Sequence, residues 1–267
     1  MFVLVLGACG TSNEPLPEPL PLLEAAAVHI NEAESFRLEI FQDGAPYNIE
    51  SDVIEGELLF DRARMDYVAP DILQGQIRAQ LVRLPFEFGI MARGDFQWVR
   101  LPGAGWTDTL YFAPGFNPQT LIAEDSGFQA ALSALIDIEM VGRENLDDGT
   151  AVYHMRGMAD GPQVSELLVY IITTEDPVII DAYIAVEDNL PLRLEVTIPG
   201  TETEEAPEPT KFVVELYDFN GVDPDADITG PSYDDPAEAD PEVTPLLEQE
   251  TPDADDDATE EATDEAE

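Results

Sequence analysis

Apolar and polar residues alternate without a break over residues 82–90. Val82, Leu84, Phe86, Phe88 and Ile90 fall on one side of an extended strand, and Arg83, Pro85, Glu87 and Gly89 on the other, because successive strand side chains point to opposite faces. A strand with one apolar and one wet face belongs to an antiparallel sheet covered on one side. The same period of two opens at Phe36, Leu38 and Ile40, returns at Ile54, Leu58 and Phe60, then at Met65, Tyr67 and Ala69, and again over 96–101. A second run of strands is predicted over 138–143, 151–158, 178–186, 192–198 and 212–219. Asp43-Gly44-Ala45-Pro46, Arg93-Gly94-Asp95 and Asp147-Asp148-Gly149 supply turn chemistry between them, and short connections favour antiparallel neighbours.

Helical spacing occurs in two places. Leu22, Leu23, Ala26, Ala27, Ile30 and Ala33 line one face of a helix over 22–34. Between the two strand runs, Asn117-Pro118 reads as an N-cap followed by proline at the first helical position. Leu121, Ile122, Phe128, Leu132, Leu135 and Ile136 then give one or two short helices suited to lie over the apolar face of the sheet. A further short helix is predicted over 162–169.

The chain has 267 residues, enough for a sizeable core. It holds 57 acidic and 11 basic residues. Nineteen of the acidic ones lie from Asp223 onward, where no Lys or Arg occurs, which leaves 38 acidic against 11 basic residues in the body. Such a surface repels phosphate backbones, so nucleic acid is excluded as a partner class. From Asp223 the chain is Asp-, Glu-, Pro-, Ala- and Thr-rich with few large apolar residues, a composition expected to remain disordered.

Cys9 is the single cysteine, so no internal disulfide forms. It follows the apolar run Met1-Phe2-Val3-Leu4-Val5-Leu6-Gly7-Ala8, which is shorter than the ~20 residues that span a bilayer and reads as the end of a signal peptide. Leu6-Gly7-Ala8-Cys9 resembles the bacterial lipobox. Cys9 then becomes the acylated mature N-terminus, against an ordinary buried cysteine on an N-terminal strand. No Lys or Arg precedes the apolar run, so the true start is expected upstream. Four prolines between residues 14 and 21 form a stiff tether.

Catalytic signatures are poor. His29 and His154 are the only histidines, and a structural role is favoured for His154 on its strand. Carboxylates are too abundant to single out an acid–base pair. Gly103-Ala104-Gly105 lacks the context of a phosphate loop. Asp223-Pro224-Asp225-Ala226-Asp227 begins like a calcium loop, but Ile228 stands where the sharp turn needs glycine. The chain is therefore read as non-enzymatic, with no cofactor and no metal. What remains is an apolar sheet face crossed by helices, which either packs as a filled core or encloses space for a lipid.

Taken in order, the chain resembles the LppX/LprAFG bacterial lipoprotein family, whose fold is shared with the LolA and LolB lipoprotein carriers. The features that carry the resemblance are the lipobox at Cys9, the helix leading into Ser35-Phe36-Arg37-Leu38, Glu55-Gly56 with Leu58, and Tyr67-Val68-Ala69-Pro70-Asp71. Gly94-Asp95-Phe96-Gln97-Trp98 with Trp106, the helical region over 121–135, Gly142-Arg143-Glu144 leading to Tyr153-His154, and Asn189-Leu190-Pro191-Leu192-Arg193 complete the succession.

The resemblance implies an α+β fold, a half-open antiparallel β-barrel wrapped around a few helices. It also implies an apolar cavity for the acyl chains of a lipid or acylated glycolipid. The implied lining is Ile54, Leu58, Phe60, Leu84, Phe86, Phe88, Trp98, Phe128, Leu132, Ile180 and Ile184. Arg62, Arg64 and Arg100 are weighed as contacts for an anionic headgroup against a solvated surface role. The expected organisation is a signal-peptide remnant (1–8), a lipidated N-terminus and tether (9–21), the lipid-binding domain (22–231) and the acidic tail (232–267). The expected protein is a monomer on the extracytoplasmic face of the cell membrane, held there by acylated Cys9. The competing expectation keeps the fold but fills its core, making an envelope protein-interaction or sensor module.

Overall fold

The computed structural model describes residues 15–49, 57–124, 126–165 and 167–231. Eleven strands form one antiparallel sheet with the order β6-β5-β4-β3-β2-β1-β11-β10-β9-β8-β7. The strands are β1 (Ser35–Asp43), β2 (Leu58–Val68), β3 (Ile72–Leu81), β4 (Leu84–Arg93), β5 (Phe96–Arg100), β6 (Trp106–Thr107), β7 (Ile136–Asn145), β8 (Ala151–Ala159), β9 (Val178–Ala185), β10 (Pro191–Ile198) and β11 (Thr210–Tyr217). Strands β6 and β7 are its two edges, and no ladder joins them. The result is a curved, unclosed sheet, a half-barrel. Its connections run as two meanders, joined at the centre where β1 pairs with β11 in register from Arg37↔Tyr217 to Asp43↔Lys211.

Helix α1 (Pro19–Asn31) opens on proline in its first turn and buries Leu22, Leu23, Ala26, Ala27 and Ile30, the face expected from spacing. It starts three residues earlier than the pattern alone places it, because Pro19 and Pro21 fit a first helical turn, where the missing N–H costs nothing. A 3₁₀ helix (Pro118–Ile122) is capped as the sequence predicts, the Asn117 side chain accepting from the Gln119 amide at 3.0 Å. Helices α2 (Gly127–Ser133) and α3 (Gly161–Ser165) follow. The helices share one core with the inner face of the sheet, in which Phe36, Leu38, Tyr67, Phe128, Leu168 and Ile180 are all buried.

Two local features set which residues face inward. A bulge between Phe60 and Arg62 shifts the phase of β2, so inward positions change from Leu58 and Phe60 to Ala63, Met65 and Tyr67. Strand β4 begins at Leu84 rather than Val82. Leu81 pairs with Leu84, and Val82 (φ 51°) and Arg83 (φ 66°) form the two-residue turn between β3 and β4. Both central residues at positive φ suit the right-handed twist of a hairpin.

The chain after β11 departs from the disorder expected from Asp223. Residues 222–231 lie against the outer, convex face of the sheet. Val222 and Ile228 pack with Val68, Met91 and Trp98 in a second, smaller apolar cluster. Two backbone amides, those of Thr229 and Gly230, donate to the Gln74 side chain at 3.0 and 2.6 Å. Two large apolar residues and a set of backbone anchors suffice to hold a short segment that composition alone assigns to the tail. No helix among the described residues is long and apolar enough to cross a membrane.

Candidate functional site

The inner face is a continuous apolar surface, and its cover changes along the strands. Towards the centre it is filled. Phe36 stacks on Tyr67 with ring centroids 4.7 Å apart and meets Phe128 edge-on at 6.0 Å. Phe128 and Leu132 of α2 are completely buried there, and Ile180 and Ile184 of β9 form part of the floor. Five of the expected lining residues, these four and Phe60, therefore belong to one packed core.

Towards the β3–β4 turn the cover thins. Register sets three rows across β2, β3 and β4: Ala63–Ile77–Phe88, Phe60–Ala79–Phe86 and Leu58–Leu81–Leu84. Ile77 is inaccessible, Phe86 and Phe88 are half-buried, and Leu84 is 70% exposed. The Phe86 and Phe88 rings lie 5.7 Å apart. Ala63 and Ala79 are the small members of their rows, and both are fully buried. The apolar surface thus runs without interruption from core to solvent over one hairpin.

Other expected members fall elsewhere. Trp98 is on the convex face, because it pairs with Met91, whose side chain points away from the side of Ile90 and Ala92. It packs with Val68, Val222 and Ile228. Its period of two was legible, but the phase of a five-residue strand flanked by turns was not. Ile54 and Cys9 lie outside the described residues. Arg62 and Arg64 are also convex, sharing Glu39 at 3.3 and 3.2 Å, and Arg100 lies over the Trp106 ring at 4.9 Å. These three arginines are therefore remote from any ligand on the inner face.

The polar chemistry of the protein is concentrated on the convex side. Arg37 faces Asp66, Asp218 and Asp227 at 3.2, 3.4 and 3.2 Å. These carboxylates raise the Arg37 pKa, Asp66 most of all. Burial drives the Asp66 pKa above its ordinary value. Arg37 offsets this in part, and the two other carboxylates add to it, because one guanidinium serves three acids. His154 lies between Glu144 (Nδ1, 2.9 Å) and Asp181 (Nε2, 2.6 Å) and stacks on Tyr183 at 4.5 Å. Arg156 grips the buried Asp181 with two bonds of 2.8 and 3.2 Å. This cluster ties β7, β8 and β9 together, the structural role expected for His154. Among the described residues no group of three or more His, Cys, Asp or Glu is arranged to hold a metal.

Two of the protein's open cavities lie away from the inner face. One, of about 420 Å³, sits on the convex side between Arg37, Arg64, Arg100, Gln74 and Trp106. The other, of about 730 Å³, lies at the turns following β7 and β9, beside Asp148, Leu190 and Phe219.

An open antiparallel sheet folded around helices, apolar within and salt-bridged without, defines the architectural class. The sequence model of the LppX_LprAFG lipoprotein family matches residues 18–221, and the chain belongs to that family. Among solved structures it is similar to LprF from Mycobacterium bovis, at 13% identity and a TM-score of 0.57, covering 82% of this chain and 98% of that one. It is also similar to lipoprotein LppX from Mycobacterium tuberculosis, at 14% identity and a TM-score of 0.50, covering 77% of this chain and 96% of that one. A LolA superfamily protein from Nitrosomonas europaea gives a TM-score of 0.29 at 12% identity, covering 78% of this chain and 95% of that one. No curated protein matches the sequence.

Proposed function

We propose that the protein is a membrane-anchored, extracytoplasmic lipoprotein that binds or carries acylated lipids without catalysing a reaction. Cys9 is its lipid anchor and residues 22–231 its binding domain. The observation that carries the proposal is the unbroken apolar path on the β3–β4 hairpin, from buried Ile77 to Leu84 at 70% exposure. An acyl chain laid along Phe86, Phe88 and Leu84 removes apolar surface of both partners from water, at ~25 cal/mol per Å². Membership of the lipoprotein family supports both the anchor and the class of ligand.

A second reading has its own support. The centre of the inner face is already filled by Phe128, Leu132, Val164, Leu168 and Ile172, as in an interaction module with a packed core.

Native mass spectrometry decides between them. The full chain carrying Cys9→Ser, so that no acyl group is attached covalently, is purified from a lipid-rich bacterial host without delipidation. Co-purified lipid that is lost on Phe86→Trp or Phe88→Trp is the expected result. A well-folded chain with a clean apo mass that takes up no added diacyl lipid would falsify the carrier proposal and leave the interaction module.

A further inference from the structure

Charge is spread unevenly over the sheet. Residues 58–107, which hold β2 to β6, carry six arginines against five acids, whereas the rest of the chain carries five basic residues against 52 acids. A strongly negative protein thus has one slightly positive half-sheet.

Register shows where the excess gathers. Arg64 pairs with Gln76, Gln76 with Gly89, Gly89 with Arg100, and Arg100 with Trp106, so these residues form one row across five strands on the convex face. Arg62 and Arg64 share a single carboxylate, Glu39. Arg100 is exposed and meets no carboxylate among the described residues. Gly89 opens the middle of the row. A Cβ there would stand 3.2 Å from the Trp106 ring and 3.3 Å from Arg100 Nε, so the missing side chain is the space that both use. Arg100 lies over the indole at 4.9 Å, and a guanidinium stacked on a ring keeps its N–H edges available. On the neighbouring row Gln74 holds the Thr229 and Gly230 amides, which places Thr229 at the rim. The result is the open groove of about 420 Å³, where Arg37, Arg64, Arg100, Gln76 and Trp106 meet one carboxylate, Asp66. Arg37 already faces that carboxylate at 3.2 Å.

We propose that this groove binds a phosphate group, with Arg100 as its principal ligand and Arg64 as the second. A guanidinium presents parallel N–H donors that match two phosphate oxygens. Arg100 is held ready by the Trp106 ring, so little side-chain freedom is left to lose on binding. Gln76, exposed between the two arginines on the row, supplies a neutral donor. The acidic surface elsewhere opposes any anion, but its field is screened beyond ~8 Å at physiological salt, so the local excess decides for a small group. A nucleic-acid backbone would run past the groove onto that surface and be repelled. Phosphate reaches the groove on a soluble molecule or as the headgroup of a membrane lipid, and the recognising chemistry is the same. The site lies on the opposite face of the sheet from the acyl path and does not depend on it.

An NMR titration of the full chain carrying Cys9→Ser with sodium pyrophosphate tests the proposal. The Trp106 indole N–H and Arg100 Nε–H signals are expected to shift together and to saturate. Arg100→Gln is expected to weaken binding roughly tenfold or more, the loss of a charged hydrogen bond, and Arg64→Gln by a smaller factor. Trp106→Leu leaves the charge unchanged and is expected to weaken binding roughly two- to five-fold, read at Arg100 Nε–H. Amide signals of β9 and β10 report on the fold, and if Arg100→Gln disturbs them, Arg64→Gln and Trp106→Leu decide. Flotation with phosphatidylglycerol vesicles separates the two sources. Co-flotation that pyrophosphate competes away and Arg100→Gln abolishes assigns the group to a lipid headgroup, whereas pyrophosphate binding without co-flotation assigns it to a soluble molecule. No saturable shift at millimolar pyrophosphate, or shifts that survive both arginine substitutions, overturns the proposal.

Discussion

The side chain of Gln97 is bonded at both of its ends to the backbone of Ala113. Its Nε2 donates to the Ala113 carbonyl at 2.6 Å and to that of Phe116 at 3.2 Å, and its Oε1 accepts from the Ala113 amide at 3.2 Å. Gln97 is 3% exposed and Ala113 fully buried, so no water replaces these bonds. Gln97→Leu leaves one amide and two carbonyls without partners and is expected to destabilise the protein by about 2–4 kcal/mol. A lowered urea midpoint with unchanged m-value measures it. A change under ~1 kcal/mol would show that the loop carrying Ala113 relaxes to find other partners.

The β3–β4 turn places a β-branched residue, Val82, at φ 51° and Arg83 at φ 66°. Left-handed backbone costs an L-residue about 1–2 kcal/mol, and Asn-Gly is the preferred pair for such a turn. Val82→Asn with Arg83→Gly is expected to raise stability by about 1 kcal/mol, read as a higher urea midpoint. No gain would mean that the turn changes conformation in solution.

Asp66 gives a pH dependence of unusual sign. Its folded pKa stands above its ordinary 3.8, through burial first and through Asp227 and Asp218 as well. A group raised in this way contributes stability that is full below the unfolded value and is lost as pH rises through the folded one. Measured against Asp66→Asn across pH 3 to 7, the natural protein is expected to be relatively most stable below about pH 4 and to lose that advantage as pH rises. A difference that grows with pH would instead mean that the pair with Arg37 outweighs burial.

Phe128 and Phe86 separate packing from binding. Phe128 is fully buried between α2 and the sheet, and Phe128→Ala is expected to cost about 3–5 kcal/mol. Phe86 is half-buried. Phe86→Ala is expected to cost about 1–2 kcal/mol, a part of the transfer energy of a full side chain, while reducing retained lipid. Thermal melts beside lipid extraction check both, and equal loss of stability at the two sites would make the hairpin ordinary core.

Legibility followed local chemistry. Strand β10 was readable because apolar residues alternate cleanly with polar ones, as in Leu192-Arg193-Leu194-Glu195-Val196, and β8, β9 and β11 because short runs rich in Val, Ile, Tyr and Phe lie between turn signals. The cap at Asn117-Pro118 was readable because it needs only adjacent residues. Strand β3 was not foreseen. Gly75 interrupts its inward set Leu73, Ile77 and Ala79, and its outward Gln74, Gln76 and Arg78 read as connecting sequence. Leu84 was grouped with residues such as Phe128, because period alone does not say how far along a strand its cover extends. The packing of Ile228 near Trp98 joins residues 130 positions apart, which no local pattern records.

That β6 and β7 do not meet has a mechanical consequence. A closed barrel has a fixed circumference, set by its strand number and stagger, and can widen only by breaking a ladder. This sheet can change its curvature by small adjustments of twist at every strand pair while all its inter-strand hydrogen bonds persist. Its stiffness then resides in the side chains clasped between sheet and helices. On the proposed function, this lets the sheet take acyl chains of different girth without unpairing a strand.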